Sequence, residues 1–371
     1  MLPAAKTSRF SLADVLPNCL EALAGRTGRL GLAPVTHAIV LLADGLGRAA
    51  LEAHRGHART LASRLDIDPA ISAGFPTTTA AALATLMTGT APGQHGMVGY
   101  KVLDPATDTV VSQLGGLDSL DPAHWQRMPT LFETAAASGV RSVAIGSPRY
   151  RTSGFTQAVL RGAVYRGEAS IADRFAAARK ELDAPGPTLI YLYVSELDVE
   201  AHARGLASAR WVGALESLDG EVGSLAAALG PRQGLLVTAD HGMVDVPESS
   251  QIIVPTELLE GVRHVAGEPR CLQLYLEPGI APDSVAARWT EHEKARAWVA
   301  TRDEAIAAGW LGEVDDAVRP RIGDVLVAAR KRYAYYVDPD DTARRMVGQH
   351  GSLTPDETSI PLLRFGAFQA K

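Results

Sequence analysis

Short, continuously apolar runs alternate with stretches of helical period along the first two-thirds of the chain. Four runs stand out: THAIVLLAD (36–44), RSVAIG (141–146), PTLIYLYVSE (187–196) and GLLVTAD (234–240). Each is rich in β-branched or large apolar side chains without strict in–out alternation, the pattern of a strand buried on both faces of a sheet. Between them lie TTAAALATLMTG (78–89), TLFETAAASG (130–139), SIADRFAAARKELD (170–183) and ARWVGALESLDGEVGSLAAALG (209–230). Their apolar residues recur at helical spacing and several end at glycine, which favours the left-handed conformation that closes many helices. This alternation predicts a doubly wound α/β fold with a mostly parallel central sheet flanked by helices.

The pattern changes between about 251 and 345. RCLQLYLEP (270–278) and RIGDVLVAARKRYAYYV (321–337) read as strands of a more exposed sheet, and DSVAARWTEHEKARAWVA and TRDEAIAAGWLG between them carry helical period. The expected organisation is a catalytic core, residues 1–250 and 346–371, interrupted by a small α+β insert at 251–345.

Composition narrows the class. With 46% hydrophobic and 21% charged residues the chain falls among globular proteins rather than disordered or fibrous ones. A net charge of −6 and the lack of any basic stripe argue against a nucleic-acid scaffold as partner. A small phosphate ester or phosphoanhydride stays admissible, because bound metal ions can make one site locally positive. Cys19 and Cys271 match no metal spacing and are expected to be buried free thiols rather than a disulfide. The N-terminal segment MLPAAKTSRFSLADVLPNCLEALAG carries Pro and Asp within it, and no stretch has the length of a membrane span. A cytoplasmic location without membrane association is the expectation.

The candidate chemistry sits at strand ends. Asp44 follows AIVLLA, Asp198 comes shortly after LIYLYVS, and Asp240-His241 follow LLVTA. Ligands of open parallel sheets bind beyond the carboxyl ends of the strands, so three strands bring acidic or imidazole groups to one edge. Carboxylates buried together are costly unless a cation joins them. Asp198 and His202, four positions apart, would share one face of a helical turn. Asp240 and His241 are adjacent and are expected to diverge. His350, in GQHGS, suits a tight loop that presents an imidazole. Singly, each residue has a plainer explanation, since an Asp after a strand is most often a cap or turn residue. Their joint placement favours a metal centre, with zinc the typical ion for Asp/His sets and manganese or iron compatible. Thr77, Thr78 and Thr79 add hydroxyls at the start of a helix, where unpaired N–H groups and the helix dipole favour a tetrahedral anion. Any of the three also serves as a simple helix cap.

Taken in order, these motifs resemble the alkaline phosphatase superfamily and, within it, the nucleotide pyrophosphatase/phosphodiesterase branch. They are Asp44-Gly45, Pro76-Thr77-Thr78-Thr79, Thr88-Gly89 through His95-Gly96, Asp198 to His202, Asp240-His241-Gly242-Met243 and His350-Gly351, spanning roughly residues 36–351. The resemblance implies an alkaline phosphatase-like fold, two divalent ions, and a phosphoric ester hydrolase that works through a phosphothreonine on Thr79. It assigns one ion to Asp198, His202 and His350 and the other to Asp44, Asp240 and His241, and it gives His95 a structural role. The implied substrates are phosphodiesters or phosphoanhydrides. A phosphomonoesterase or phosphonate hydrolase on the same site is the alternative, and the complete motif set disfavours a non-catalytic metal- or phosphate-binding protein. Specificity is expected from the 251–345 insert and the loop GSPRYRTSGFT (146–156), with Arg149, Tyr150, Arg151 and His264 as candidate contacts or ordinary surface residues.

Overall fold

The computed structural model describes residues 2–3 and 8–369. Six strands of the central sheet come before the excursion: β1 (His37–Ala43), β2 (Ala70–Ser72), β3 (Arg141–Gly146), β4 (Val164–Gly167), β5 (Thr188–Val194) and β6 (Gln233–Thr238). The excursion adds β7 (Val262–Glu268), β8 (Cys271–Leu276), β9 (Ala297–Thr301) and β10 (Val325–Ala329), and the chain returns as β11 (Ser359–Gly366). The seven-stranded central sheet has the order β2-β11-β6-β1-β5-β3-β4. β6, β1, β5, β3 and β4 are parallel, and β11 runs antiparallel to both β2 and β6. The mostly parallel α/β architecture expected from the apolar runs is therefore present.

All seven residues of β1 are buried, because helices cover the sheet on both sides. The helices that matter for the site are α1 (Thr79–Thr88), α2 (Leu131–Ala137), α3 (Ile171–Glu181), α4 (Glu196–Arg204) and α5 (Ala209–Ala228). α1 packs on α2, which lies against β3, while α3 lies on β3 and β5 and packs against α5. Among the described residues no helix is long and apolar enough to cross a membrane. Cys19 and Cys271 are buried free thiols.

Three strands of the central sheet were illegible in the sequence for identifiable reasons. β2 and β4 are too short to show a period, and β11 contains Pro361, which argues against a strand interior. Pro361 is tolerated because β11 changes partner there: residues up to Pro361 pair with β2, and those from Leu362 onward pair with β6.

The excursion forms an antiparallel sheet of order β7-β8-β10-β9. β10 alternates: Leu326 and Ala328 join the main core, while Val325, Val327 and Ala329 pack in a second cluster around Trp289 of α6 (Pro282–Glu293). The helical pattern read across DSVAARWTEHEKARAWVA holds only to Glu293. Its tail is β9, because the ladder to β10 (Ala297↔Ala329 to Thr301↔Val325) supplies hydrogen bonds and burial that outweigh a weak local period. RIGDVLVAARKRYAYYV likewise splits after β10, and Ala334–Tyr336 pairs with Gln251–Ile253 in a separate ribbon.

A buried ion pair binds the excursion to the loops at the sheet edge. Arg270 donates to both oxygens of Glu357 (2.8 and 2.7 Å), and both side chains are fully buried. Glu357 also accepts the Ser352 N–H at 2.9 Å, and its carbonyl accepts the Gly242 N–H at 2.8 Å. One residue thus braces the segment that carries His350 through its carboxylate and the segment that carries His241 through its backbone carbonyl. Glu357→Ala strands a buried guanidinium and is expected to cost about 3–5 kcal/mol of stability, read from denaturant unfolding. A change under about 1 kcal/mol would mean that water reaches Arg270.

Candidate metal centre

β1, β5 and β6 end side by side, and the residues just beyond them converge. Asp44 and Asp240 are buried, at 2% and 0% exposure. The Asp44 N–H donates to the Val194 carbonyl at 2.9 Å, which prolongs the β1–β5 ladder by one step and points its side chain past the sheet edge. α4 starts directly after β5, so Asp198 and His202 lie one turn apart on one face, with Nε2 of His202 3.4 Å from Oδ1 of Asp198. His350 arrives from the loop after Gly348–Gln349, which is paired to Val244–Asp245 behind the DHG turn.

Asp240 and His241 do not diverge as expected. Oδ1 of Asp240 accepts the N–H groups of Gly45 (3.1 Å) and His241 (3.0 Å). This turns the carboxylate back over its own chain and leaves Oδ2 3.4 Å from Nε2 of His241.

The hydrogen bonds determine what these groups can bind. Nδ1 of His202 lies 2.7 Å from the Gly348 carbonyl, and Nδ1 of His350 lies 2.8 Å from the Thr77 carbonyl. Nδ1 of His241 lies 3.3 Å from the Gly242 carbonyl. A carbonyl only accepts, so each Nδ1 carries the proton and each neutral ring presents a lone pair on Nε2. Yet the Nε2 atoms of His202 and His350 face each other at 3.2 Å. Oδ1 of Asp44, Oδ1 of Asp198 and Oδ2 of Asp240 are buried with no hydrogen-bond partner, and each lies 3.4–3.8 Å from an imidazole Nε2. Lone pairs crowded in this way repel unless a cation sits among them. Ligands about 2.0–2.1 Å from a tetrahedral ion stand about 3.4 Å apart, so the donor set fits one. Two overlapping groups have the spacing: Asp198 with His202 and His350, and Asp44 with Asp198 and His241. Asp198 thus faces both, while Asp240 adjoins the second through His241.

The three threonines separate clearly. The Thr77 hydroxyl donates to the Ser352 carbonyl (2.7 Å) and accepts the Gly351 N–H (3.0 Å), so it is committed to the His350 loop. Thr78 hydrogen-bonds the buried Glu268. Thr79, the first residue of α1, places Oγ1 3.3 Å from Nε2 of His241. No side chain caps α1, so its first N–H groups are available to an anionic oxygen beside that hydroxyl. His95 lies apart, fully buried, with Nδ1 accepting the Met97 N–H and Nε2 3.0 Å from the Thr85 hydroxyl. Burial holds it down to about 3, as suits a structural histidine.

Burial also sets the protonation of the cluster. It pushes Asp198 up to about 7, helped by Asp44 and opposed by His202. Burial likewise pushes Asp240 up to about 7, and burial together with Asp240 raises Asp44. His241 is held down to about 4 by burial, and His350 is lowered by burial and then by His241 and His202. His241 and His350 are therefore ready to ligate near neutral pH, whereas the carboxyls must first release protons. Below about pH 7 each such proton opposes binding, so metal affinity should fall by up to about tenfold per pH unit for each carboxyl titrating. Zinc titrations from mildly acidic to mildly alkaline buffer check this, and a flat profile would contradict it.

A cavity of about 180 Å³ opens beside Thr79, Asp44 and Asp198. Its walls include Leu83, Tyr150, Phe155, Tyr165, Tyr191 and Tyr193 and, among the described residues, no lysine or arginine. The 146–156 loop lines it through Gly146, Tyr150, Ser153, Phe155 and Thr156. Arg149 instead lies over the Tyr150 ring at 4.6 Å, and Arg151 is exposed outside the wall. No described residue of 251–345 lines this cavity, against the expectation that the insert sets specificity. The excursion reaches the centre from behind, through Glu268 and Arg270. His264 pairs with Asp108 at 3.2 Å, away from the site. Sequence reading passed over Tyr193, whose hydroxyl donates to Oδ2 of Asp44. The one available signal was a tyrosine near the carboxyl end of an otherwise buried parallel strand.

The family described as type I phosphodiesterase / nucleotide pyrophosphatase matches residues 38–353. Mouse ectonucleotide pyrophosphatase/phosphodiesterase family member 3 is 28% identical over 179 residues, covering 46% of this chain and 20% of that protein. The venom phosphodiesterase of Macrovipera lebetinus is 27% identical over 182 residues, covering 46% and 21%. The chain thus aligns with about a fifth of the length of these curated relatives. Among solved structures, a phosphonoacetate hydrolase from Sinorhizobium meliloti superposes with a TM-score of 0.70 at 19% identity, covering 90% of this chain and 91% of that one. Murine ectonucleotide pyrophosphatase/phosphodiesterase 5 gives 0.68 at 18% identity, covering 88% and 87%. At such identities the likeness is one of fold.

Proposed function

The chain belongs to the type I phosphodiesterase / nucleotide pyrophosphatase family, and from that premise we propose that it is a two-metal phosphoryl-transfer hydrolase with Thr79 as nucleophile. The observation that carries this reading is the convergence of three unpartnered buried carboxylate oxygens and three imidazole nitrogens on one side of the Thr79 hydroxyl. Asp198, His202 and His350 would hold one ion, and Asp44, Asp240 and His241 the other, with Asp198 also within ligand spacing of the second. The mixed Asp/His donors favour zinc, with manganese or iron compatible. Divalent ions held there supply positive charge that lowers the pKa of a nearby hydroxyl and offsets charge growing on the phosphoryl oxygens.

Thr79 Oγ1 attacks phosphorus while the N–H groups at the start of α1 meet a phosphoryl oxygen. The ester or anhydride oxygen departs on the opposite side and the proton released by Thr79 passes to solvent or to that departing oxygen, leaving a phosphothreonine. Water then attacks the same phosphorus in line, and the phosphate product leaves with Thr79 regenerated.

The favoured substrates are small phosphodiesters or phosphoanhydrides. The curated relatives are named pyrophosphatases and phosphodiesterases, and an inactive form of the murine family member 5 was solved with AMP, which supports that reading. A phosphonate hydrolase is the second reading, favoured by the Sinorhizobium meliloti enzyme solved with phosphonoacetate. The cavity beside Thr79 weighs against it, since among the described residues no cationic side chain on its walls would meet a carboxylate. A nitrophenyl phosphodiester, the matching monoester and phosphonoacetate should be compared at equal metal loading. Fastest turnover is expected on the diester. Preference for phosphonoacetate would select the second reading, and bound metal without turnover on any of them would point to a non-catalytic protein.

A further inference from the structure

We propose that Tyr193 is a positioning residue that holds Asp44 as a one-oxygen metal ligand and joins that ligand to the wall of the substrate cavity; the inference rests on the two-metal reading above. Tyr193 lies opposite Leu42 in the parallel register of β5 and β1, so the sheet itself brings its ring level with the residues leading to Asp44. Its phenol donates to Oδ2 of Asp44. Oδ1 of the same carboxylate has no hydrogen-bond partner and faces Nε2 of His241 at 3.5 Å. The two oxygens are therefore unequal: one is committed to a donor, and the other is free to ligate. Partners of this kind orient a ligating carboxylate and fix which oxygen it offers.

Tyr193 is equipped for that task. Its ring is braced by Tyr191, stacked at 6.3 Å, and by Tyr150, edge-on at 6.0 Å. The ring also lines the cavity beside Thr79. A substituent on phosphorus that enters this cavity packs against the residue whose hydroxyl sets the ligand.

Tyr193→Phe separates the two roles, because it keeps the ring and deletes the donor. Zinc dissociation constants should be measured for wild type, Tyr193→Phe, Asp44→Asn and His202→Ala, with steady-state kinetics on the nitrophenyl diester. Tyr193→Phe is expected to bind two ions but release one about 10–100-fold more readily. Its kcat should fall at limiting zinc and recover at saturating zinc, with KM unchanged. Tyr193→Leu should raise KM as well. Asp44→Asn should lose the ion that Tyr193→Phe weakens, and His202→Ala the other. If Tyr193→Phe matches wild type at both sites while Asp44→Asn loses one ion, the positioning role is wrong and the two-metal reading stands. If Asp44→Asn keeps both ions, that reading fails and the inference with it.

Discussion

Thr79→Ala is expected to abolish turnover, lowering kcat on the order of 10⁴-fold, while metal content and fold stay as in wild type. The separation follows from geometry. Thr79 Oγ1 is 3.3 Å from Nε2 of His241, but the carboxylate and imidazole donors reach the centre from the ends of β1, β5 and β6 and from the His350 loop, so they do not depend on that hydroxyl. Alanine also suits the first turn of α1, whose next residues Ala80, Ala81 and Ala82 are already buried. Thr79→Ser keeps the hydroxyl and should retain much of the activity. Thr77→Ala and Thr78→Ala act differently, because their hydroxyls are tied to the His350 loop and to Glu268. They should loosen metal binding or lower stability before they affect chemistry. Near wild-type turnover by Thr79→Ala, with metal loading verified by elemental analysis, would show that the nucleophile lies elsewhere.

Asp198→Ala should be the most damaging of the ligand substitutions, with both ions lost and activity reduced by at least about 10³-fold. Among the described residues, Asp198 is the one that belongs to both groups with ligand spacing. Its side chain lies 3.4 Å from His202 and 3.8 Å from His350 on one side, and on the other its carboxyl is raised by the charge of Asp44. His202→Ala, whose ring reaches only the first group, should lose one ion. Elemental analysis after dialysis against buffered zinc distinguishes the cases. An Asp198→Ala protein that retains one ion per chain would assign Asp198 to a single site.

How far the centre was legible in sequence follows from the range of each signal. The four apolar runs of the parallel sheet announced themselves because strands buried on both faces need no alternation, and the ends of three of them carry Asp or His. The four-residue step from Asp198 to His202 became one helical turn in α4. The short edge strands and the partner-switching β11 carried no periodic signal. The helical pattern continued past Glu293 only until a neighbouring strand offered a better ladder.

The sequence by itself determined the α/β class, the strand ends where chemistry collects, and the residue types available there, because these depend on local periodicity and on which side chains terminate each run. The tertiary structure alone decided how those residues meet. It set the Thr79 hydroxyl beside His241 and tied that of Thr77 to the His350 loop, and it turned Asp240 toward His241 through the N–H of Gly45, 195 positions away. It also set Tyr193 against Asp44 across 149 positions and braced two loops with Glu357 and Arg270 across 87. Such contacts depend on strand order and register, and a single chain's local pattern encodes neither.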